Sequence, residues 1–174
     1  DTPPQIDPAN IMKYLHTIRE EIYQEADRSE IYERMGIEVV RGRAQFADPH
    51  SIRIALDDGS SRQVTSRYFF ICTGGKPVQP PAGGLEEVPY MTSESLFEAE
   101  QLPDKLIIIG GGNIGIEMAQ AMNRLGIAVT VIESSERVLS HDDPELADIL
   151  FGILKNEGVE YRLNTRLKRV SYQN

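Results

Sequence analysis

The chain has 174 residues, and its 18 Lys and Arg stand against 27 Asp and Glu, which gives a formal charge of −9. This length allows one domain or two small ones, and the acidic balance argues against a nucleic acid or an anionic membrane as partner. No apolar run approaches the ~20 residues that a membrane-spanning helix needs. One Cys and three His argue against an internal disulfide and against a zinc site. We therefore expect a soluble, cytoplasmic protein without a bound metal.

The N-terminal region is predicted to form two packing helices. Asp7 followed by Pro8 is a typical helix start, because Pro is tolerated at the first helical position. The apolar residues that follow fall on one helical face, namely Ile11, Leu15, Ile18 and Ile22. A second short helix is predicted from about residue 29 to residue 35, ending at Gly36.

From Ile37 onwards the apolar residues alternate with a period of two, which is typical of strands. Strand segments are predicted at residues 37–41, 44–46, 51–56 and 62–65. Asp57-Asp58-Gly59 is a strong turn signal between the last two of them. This region is predicted to be an antiparallel meander with one solvated face.

Residues 68–72 form a continuous apolar run, Tyr-Phe-Phe-Ile-Cys, which predicts a strand buried on both faces and makes Cys72 a buried thiol. Residues 73–89 are so rich in Gly and Pro that a long loop is predicted there. A single helical turn is predicted at residues 93–98.

The second half alternates strands and helices. Apolar β-branched runs predict strands at residues 106–109, 129–132 and 159–163. Two helices are predicted between these strands. The first is predicted to turn Ile114, Met118, Met122 and Leu125 towards the core. The second begins at Asp143-Pro144 and is predicted to turn Ile149, Ile153 and Leu154 towards the core. This order predicts a parallel βαβαβ sheet with right-handed crossovers.

A glycine-rich motif lies between the first of these strands and its helix. Gly110-Gly111-Gly112-Asn113-Ile114-Gly115 fits the pattern G-x-G-x-x-G. In that pattern Gly110 permits the turn, Gly112 lets a pyrophosphate approach the backbone, and Gly115 allows close packing of helix on strand. The helix N-terminus then attracts the phosphates. The motif predicts dinucleotide binding; the simpler alternative is a turn whose glycines serve packing only.

Glu133 follows the second strand, about 20 residues beyond the motif, as expected for a carboxylate that binds ribose hydroxyls. Because a carboxylate repels a 2′-phosphate, it favours NAD(H) over NADP(H). The alternative is a solvated acid at a strand end. Arg137 is the only cation nearby, and it could pair with Glu133. Glu117 is predicted to lie in the first turn of the helix. A carboxylate is favourable there because of the helix dipole, and this alone would explain an acid at this position.

Four stretches together resemble the flavoprotein disulfide reductases, the family of dihydrolipoamide dehydrogenase, glutathione reductase and mercuric reductase. Residues 42–46 (GRAQF) resemble the strand that receives the FAD adenine, and residues 71–77 (ICTGGKP) resemble an A-T-G-x-x-P element of the FAD domain. Residues 110–117 (GGGNIGIE) match the NAD fingerprint, and residues 162–167 (RLNTRL) resemble the strand beside the NAD adenine.

The resemblance implies FAD and NAD as cofactors and a role for each matching residue. Ala44, Thr73 and Gly74 would line the FAD. Glu117 would lie near the nicotinamide and the flavin as the catalytic residue, where hydride passes to the flavin and electrons go on to a disulfide.

For NAD, the resemblance implies that Glu133 binds the adenosine ribose and Leu167 packs on the adenine. The pyrophosphate would be held by Gly110, Gly112, Asn113, Ile114 and Gly115.

The chain also departs from the family pattern. Cys72 stands where the family has Ala, and no C-x-x-x-x-C redox pair, FAD phosphate-binding motif or dimerisation domain is present in these residues. We therefore expect an internal fragment of a longer enzyme, with residues 1–100 as a partial FAD-binding domain with a linker and residues 101–174 as a partial NAD-binding Rossmann domain. The parent is expected to be a homodimer.

Within the family, residues 81–92 resemble the mercuric reductase branch, whose members mostly use NADPH, whereas Glu133 favours NADH. The sequence thus predicts an NADH-linked member of the dihydrolipoamide dehydrogenase and mercuric reductase branch, acting on a disulfide or metal-ion substrate. Two other hypotheses stay open: an NAD-sensing regulatory module without redox chemistry, and an α/β domain without a ligand.

Overall fold

The computed structural model describes residues 7–172, which divide into two compact units. One unit comprises residues 18–76, and the other comprises residues 7–17 together with residues 77–172. Each unit contains a three-stranded sheet. None of the helices described between residues 7 and 172 is long and apolar enough to cross a membrane.

The N-terminal helices form close to their predicted positions. Helix α1 spans Pro8–Ile22, and helix α2 spans Ser29–Arg34. Among the side chains of α1 from residue 10 onwards, Met12 is buried, with 3% of its surface exposed, whereas Ile22 is 51% exposed. The predicted apolar face is therefore wrong at the C-terminal end of α1.

The sheet of the first unit is the predicted antiparallel meander. It consists of β1 (Arg43–Asp48), β2 (Ser51–Ala55) and β3 (Ser61–Thr65), in the order β1-β2-β3. The turn between β2 and β3 contains Gly59 with a φ of +83°. Residues 37–41, predicted as a strand, are irregular.

The predicted buried strand at residues 68–72 does not form in this structure. The segment is irregular, Phe70 is 93% exposed, Ile71 is 69% exposed and Cys72 is exposed. The run meets the meander through Phe69, whose ring lies edge-on to Phe46 at 5.2 Å. The physical reason is that a strand needs a hydrogen-bonded neighbour, and no strand of residues 7–172 pairs with this run.

The second unit has the predicted parallel βαβαβ order. Its elements are β4 (Lys105–Ile109), α3 (Asn113–Arg124), β5 (Ala128–Ile132), α4 (Pro144–Asn156) and β6 (Glu160–Arg162). The sheet order is β4-β5-β6, with both pairs parallel. The Asp143 carboxylate caps α4 by accepting hydrogen bonds from the N–H groups of Glu145 (3.0 Å) and Leu146 (3.2 Å).

The core of this unit lies between the sheet and its helices. Its most buried members include Val131 on β5 and Leu154 on α4, both 0% exposed. Short 3₁₀ turns at Leu85–Glu87 and Ser95–Glu98 interrupt the long loop, the second at the predicted place.

Two helical faces differ from their prediction. On α3 the buried side chains are Ile116, Ala119 and Met122, while Ile114 is 59% exposed. On α4 the buried residues are Ala147 and Leu154, whereas Ile149 is 60% exposed and Ile153 is 46% exposed. Residue spacing predicts that a helix has an apolar face, but the contact with the sheet decides which face turns inward.

Candidate functional site: a glycine-rich turn and an acid at the ends of two strands

The turn between β4 and α3 brings the backbone of strand and helix unusually close. Gly110 has a φ of +107°, which favours glycine, and its N–H donates to the Ile132 carbonyl at 2.9 Å. A Cβ at Gly115 would lie 2.1 Å from the Gly110 carbonyl oxygen and 3.5 Å from Ile108 Cγ2. Helix α3 can thus pack against β4 only with glycine at position 115.

The N-terminus of α3 is open. Gly112 is the residue before the first helical turn, and no side chain caps the helix there. A Cβ at Gly112 would meet no atom within 4 Å, and Asn113 and Ile114 are exposed. The first N–H groups of a helix lack intrahelical partners and carry partial positive charge, so this end fits an anionic group such as a pyrophosphate.

Gly111 is a residue that the motif analysis missed, because it occupies an unrestricted position of the pattern. Its N–H donates to Glu133 Oε2 at 2.6 Å, and its carbonyl accepts from the Leu139 N–H at 2.7 Å. A Cβ there would lie 2.9 Å from Val138 Cγ1 and 3.2 Å from Glu133 Oε2. The three consecutive glycines at residues 110–112 are the sequence feature that could have indicated a role for Gly111.

Glu133 lies at the carboxyl end of β5, directly beside this turn. Besides the Gly111 N–H, its carboxylate accepts from the Ser135 N–H at 2.7 Å and from the Ser134 hydroxyl at 3.1 Å. Partial burial raises the pKa of Glu133, but the Gly111 and Ser135 N–H groups and the serine hydroxyls outweigh it, and the pKa lies below its ordinary value. The residue is therefore a negative charge at neutral pH.

Arg137 does not pair with Glu133, the possibility that the sequence had left open. Its guanidinium donates to the carbonyl oxygens of Leu139 (3.2 Å), Ser140 (2.8 Å) and Asp142 (3.2 Å). The cation nearest to Glu133 in the sequence therefore forms its hydrogen bonds within the loop of residues 137–142.

Glu117 and Leu167 are the remaining predicted site residues of this unit. Helix α3 begins at Asn113, so Glu117 lies in its second turn rather than its first, and its side chain is exposed. Because the helix dipole acts mainly within the first turn, it no longer accounts for this acid. Leu167 is half-buried and follows residues that are joined to the Glu133 segment, since the Thr165 N–H donates to the Glu133 carbonyl at 2.9 Å.

The predicted FAD residues belong to the other unit. Ala44 lies on β1 opposite Ile54, and Thr73 and Gly74 lie in the irregular segment after β3. All three are exposed. Strand β1 is an edge strand of its sheet, so its outer backbone groups can bind a ligand.

Comparison with curated proteins finds relatives with related activities. The chain is 38% identical to the mercuric reductase of Streptomyces lividans over 135 residues, which are 78% of this chain and 28% of that protein. It is 31% identical to the dihydrolipoamide dehydrogenase of Chaetomium thermophilum, covering 79% of this chain and 27% of the relative. The chain therefore spans between a quarter and a third of the length of these two relatives.

Solved structures give the same result. The Cu(II) complex of the HOCl-induced flavoprotein disulfide reductase RclA from Escherichia coli superposes with a TM-score of 0.71 at 27% identity, covering 96% of this chain and 40% of that one. The family to which these relatives belong consists of FAD-dependent oxidoreductases that use a pyridine nucleotide. Residues 5–174 also match the family described as pyridine nucleotide-disulphide oxidoreductase, and the chain belongs to this family.

Proposed function

We propose that the protein containing this chain passes hydride from NADH to FAD, and electrons from the flavin to a disulfide or metal-ion substrate. The chain would supply most of the NAD site and part of the FAD site. Its single Cys cannot form a redox-active pair, so that pair would come from other residues of the protein. We expect a cytoplasmic homodimer.

The observation that carries this proposal is the pairing of an open helix N-terminus with a charged acid. Gly112 leaves the start of α3 accessible, and Glu133 is held beside it by the Gly111 N–H at 2.6 Å. In this proposal the pyrophosphate binds the N–H groups at the start of α3, which include those of Asn113 and Ile114.

The preference for NADH rests on the charges around Glu133. The carboxylate has a lowered pKa and can accept hydrogen bonds from ribose hydroxyls, whereas it would repel a 2′-phosphate. Arg137 donates to three carbonyl oxygens, so it is not available to neutralise that phosphate. Leu167 is proposed to pack on the adenine.

The remaining roles concern orientation. When bound, the flavin and the nicotinamide supply the hydride chemistry, and the protein positions them. Glu117 is proposed to lie near the nicotinamide and to act as the catalytic residue. Ala44 on edge strand β1, with Thr73 and Gly74, is proposed to contact the FAD. The substrate class follows the names of the relatives, a mercuric reductase and a flavoprotein disulfide reductase studied with Cu(II).

The experiment is a spectroscopic and calorimetric study of the intact protein. It should purify with the visible absorbance of a bound flavin. It should bind NADH roughly tenfold more tightly than NADPH, and Glu133→Gln should reduce this preference. Equal affinity for the two nucleotides would contradict the NADH assignment. A colourless protein that binds NADH would contradict the redox function and favour an NAD-sensing module.

A further inference from the structure

We propose that Arg137 is a positioning residue for the phosphate-binding turn: it fixes a backbone loop that holds the peptide between Gly111 and Gly112 in one orientation. This inference rests on the proposed NADH binding for its ligand, but its structural part can be tested without a ligand.

Arg137 stabilises the loop of residues 137–142 by hydrogen bonds to its backbone. The Arg137 guanidinium donates to the carbonyl oxygens of Leu139, Ser140 and Asp142, and the Asp142 N–H donates to the Leu139 carbonyl at 3.0 Å. Leu139 has a φ of +51°, in the left-handed region. This backbone conformation is unfavourable for any residue that carries a Cβ atom. The hydrogen bonds from the charged guanidinium offset that cost, because such bonds are stronger than neutral ones.

This loop is hydrogen-bonded to the glycine-rich turn. The Leu139 N–H donates to the Gly111 carbonyl at 2.7 Å. Val138 is 2% exposed, and its Cγ1 lies close enough to Gly111 to exclude a side chain there. The loop therefore holds the carbonyl of Gly111 while Glu133 holds its N–H.

The hydrogen bond to the Gly111 carbonyl also fixes the direction of the Gly112 N–H group. The peptide bond between Gly111 and Gly112 is trans, so its carbonyl oxygen and its N–H point in opposite directions. Binding of the oxygen by Leu139 thus turns the Gly112 N–H away from the 137–142 loop. Three consecutive glycines have much conformational freedom, and without this hydrogen bond the peptide could rotate and remove a donor from the phosphate site.

The variants separate positioning from general stability. Arg137→Met removes every donor but keeps an apolar stem, and Arg137→Lys retains the charge. Arg124→Met is the matched control: Arg124, the last residue of α3, also lies in the second unit, but it pairs with Glu157 after α4 at 2.7 Å. The measurements on the intact protein are NADH affinity and amide hydrogen exchange at Gly111 and Leu139, whose N–H groups donate to Glu133 and to the Gly111 carbonyl, compared with exchange at Val129 and Val131 in β5.

Arg137→Met should weaken NADH binding by about tenfold, as the loss of one hydrogen bond to a charged phosphate implies. Exchange at Gly111 and Leu139 should accelerate while exchange in β5 stays unchanged. Arg137→Lys should restore part of both properties, and Arg124→Met should change neither. Unchanged exchange at Gly111 and Leu139, or equal acceleration in β5, would overturn the proposal. If the unaltered protein fails to bind NADH, the proposed function fails, and the exchange measurement alone decides the role of Arg137.

Discussion

Two runs of apolar residues in this chain have different structures. Residues 106–109 (Leu-Ile-Ile-Ile) form most of β4, which pairs in parallel with β5, and Leu106 and Ile108 pack against the core. Residues 68–72 (Tyr-Phe-Phe-Ile-Cys) form no strand, and most of their side chains are exposed. Both runs are predicted to be strands from their sequence, and in β4 the alternate residues Ile107 and Ile109 are 64% and 41% exposed.

An apolar run becomes a strand only when it has a hydrogen-bonded neighbour and a surface to pack against. β4 has a paired strand on one edge and a helix, α3, that glycine at position 115 allows to pack closely on one of its faces. The run at residues 68–72 has neither among the described residues; its aromatic pair is the one between Phe69 and Phe46.

The largest effect is expected for Gly115→Ala. The new Cβ would lie 2.1 Å from the Gly110 carbonyl oxygen, a backbone atom that cannot move without shifting β4 or α3. We expect the free energy of unfolding to fall by about 3 kcal/mol, at the upper end of the cost of overpacking. Urea denaturation measures this change.

The matched control is Gly152→Ala on α4, where a Cβ would meet no atom within 4 Å. Because alanine favours the helix, this variant should be more stable by about 0.5–1 kcal/mol. If both variants behaved alike, the close approach of α3 to β4 would not be what holds β4 in place.

The next effect compares one residue type in the two runs. Ile108→Ala should reduce the free energy of unfolding by about 2 kcal/mol, because Ile108 packs against the core. Ile71→Ala should change it by less than about 0.5 kcal/mol, because Ile71 is 69% exposed. Denaturation of both variants of the 174-residue chain measures the contrast.

An independent check is the native-state reactivity of Cys72, which is exposed. Its thiol should react with a thiol reagent in the 174-residue chain without denaturant. A thiol that reacts only after unfolding, together with a large loss in Ile71→Ala, would mean that the run is buried after all.

The smallest effect is the pH dependence of the Glu133 contacts, which join the end of β5 to the turn after β4. The pKa of Glu133 is lower in the folded chain than its ordinary value of 4.5. The stability that it contributes is therefore present above the unfolded pKa and is lost as the pH falls through the folded pKa. Glu133→Gln should be less stable than the unaltered chain at pH 7, and the difference should vanish in acid. A difference that is constant from pH 7 to about pH 3 would contradict this role.

The prediction from sequence was most successful where local signals agree. Asp143-Pro144 at the start of α4, the turn at Gly59 and the βαβαβ order all appear as expected, because capping, turn and periodicity signals depend on nearby residues. The motif also led to the Gly110–Gly115 turn and to Glu133. Their binding roles, and those of Glu117, Leu167, Ala44, Thr73 and Gly74, stay predictions.

Local sequence signals were enough to predict the order of the elements and the positions of the glycine-rich turn and its acid, since these follow from the conformational preferences of single residues and short spacings. Three features depend on the folded chain instead: which helical faces are buried, the unpaired state of residues 68–72, and the hydrogen bonds that join Gly111 to Glu133 and Leu139. Such features depend on contacts between residues that are distant in the chain, and a local pattern carries no information about which neighbours are present.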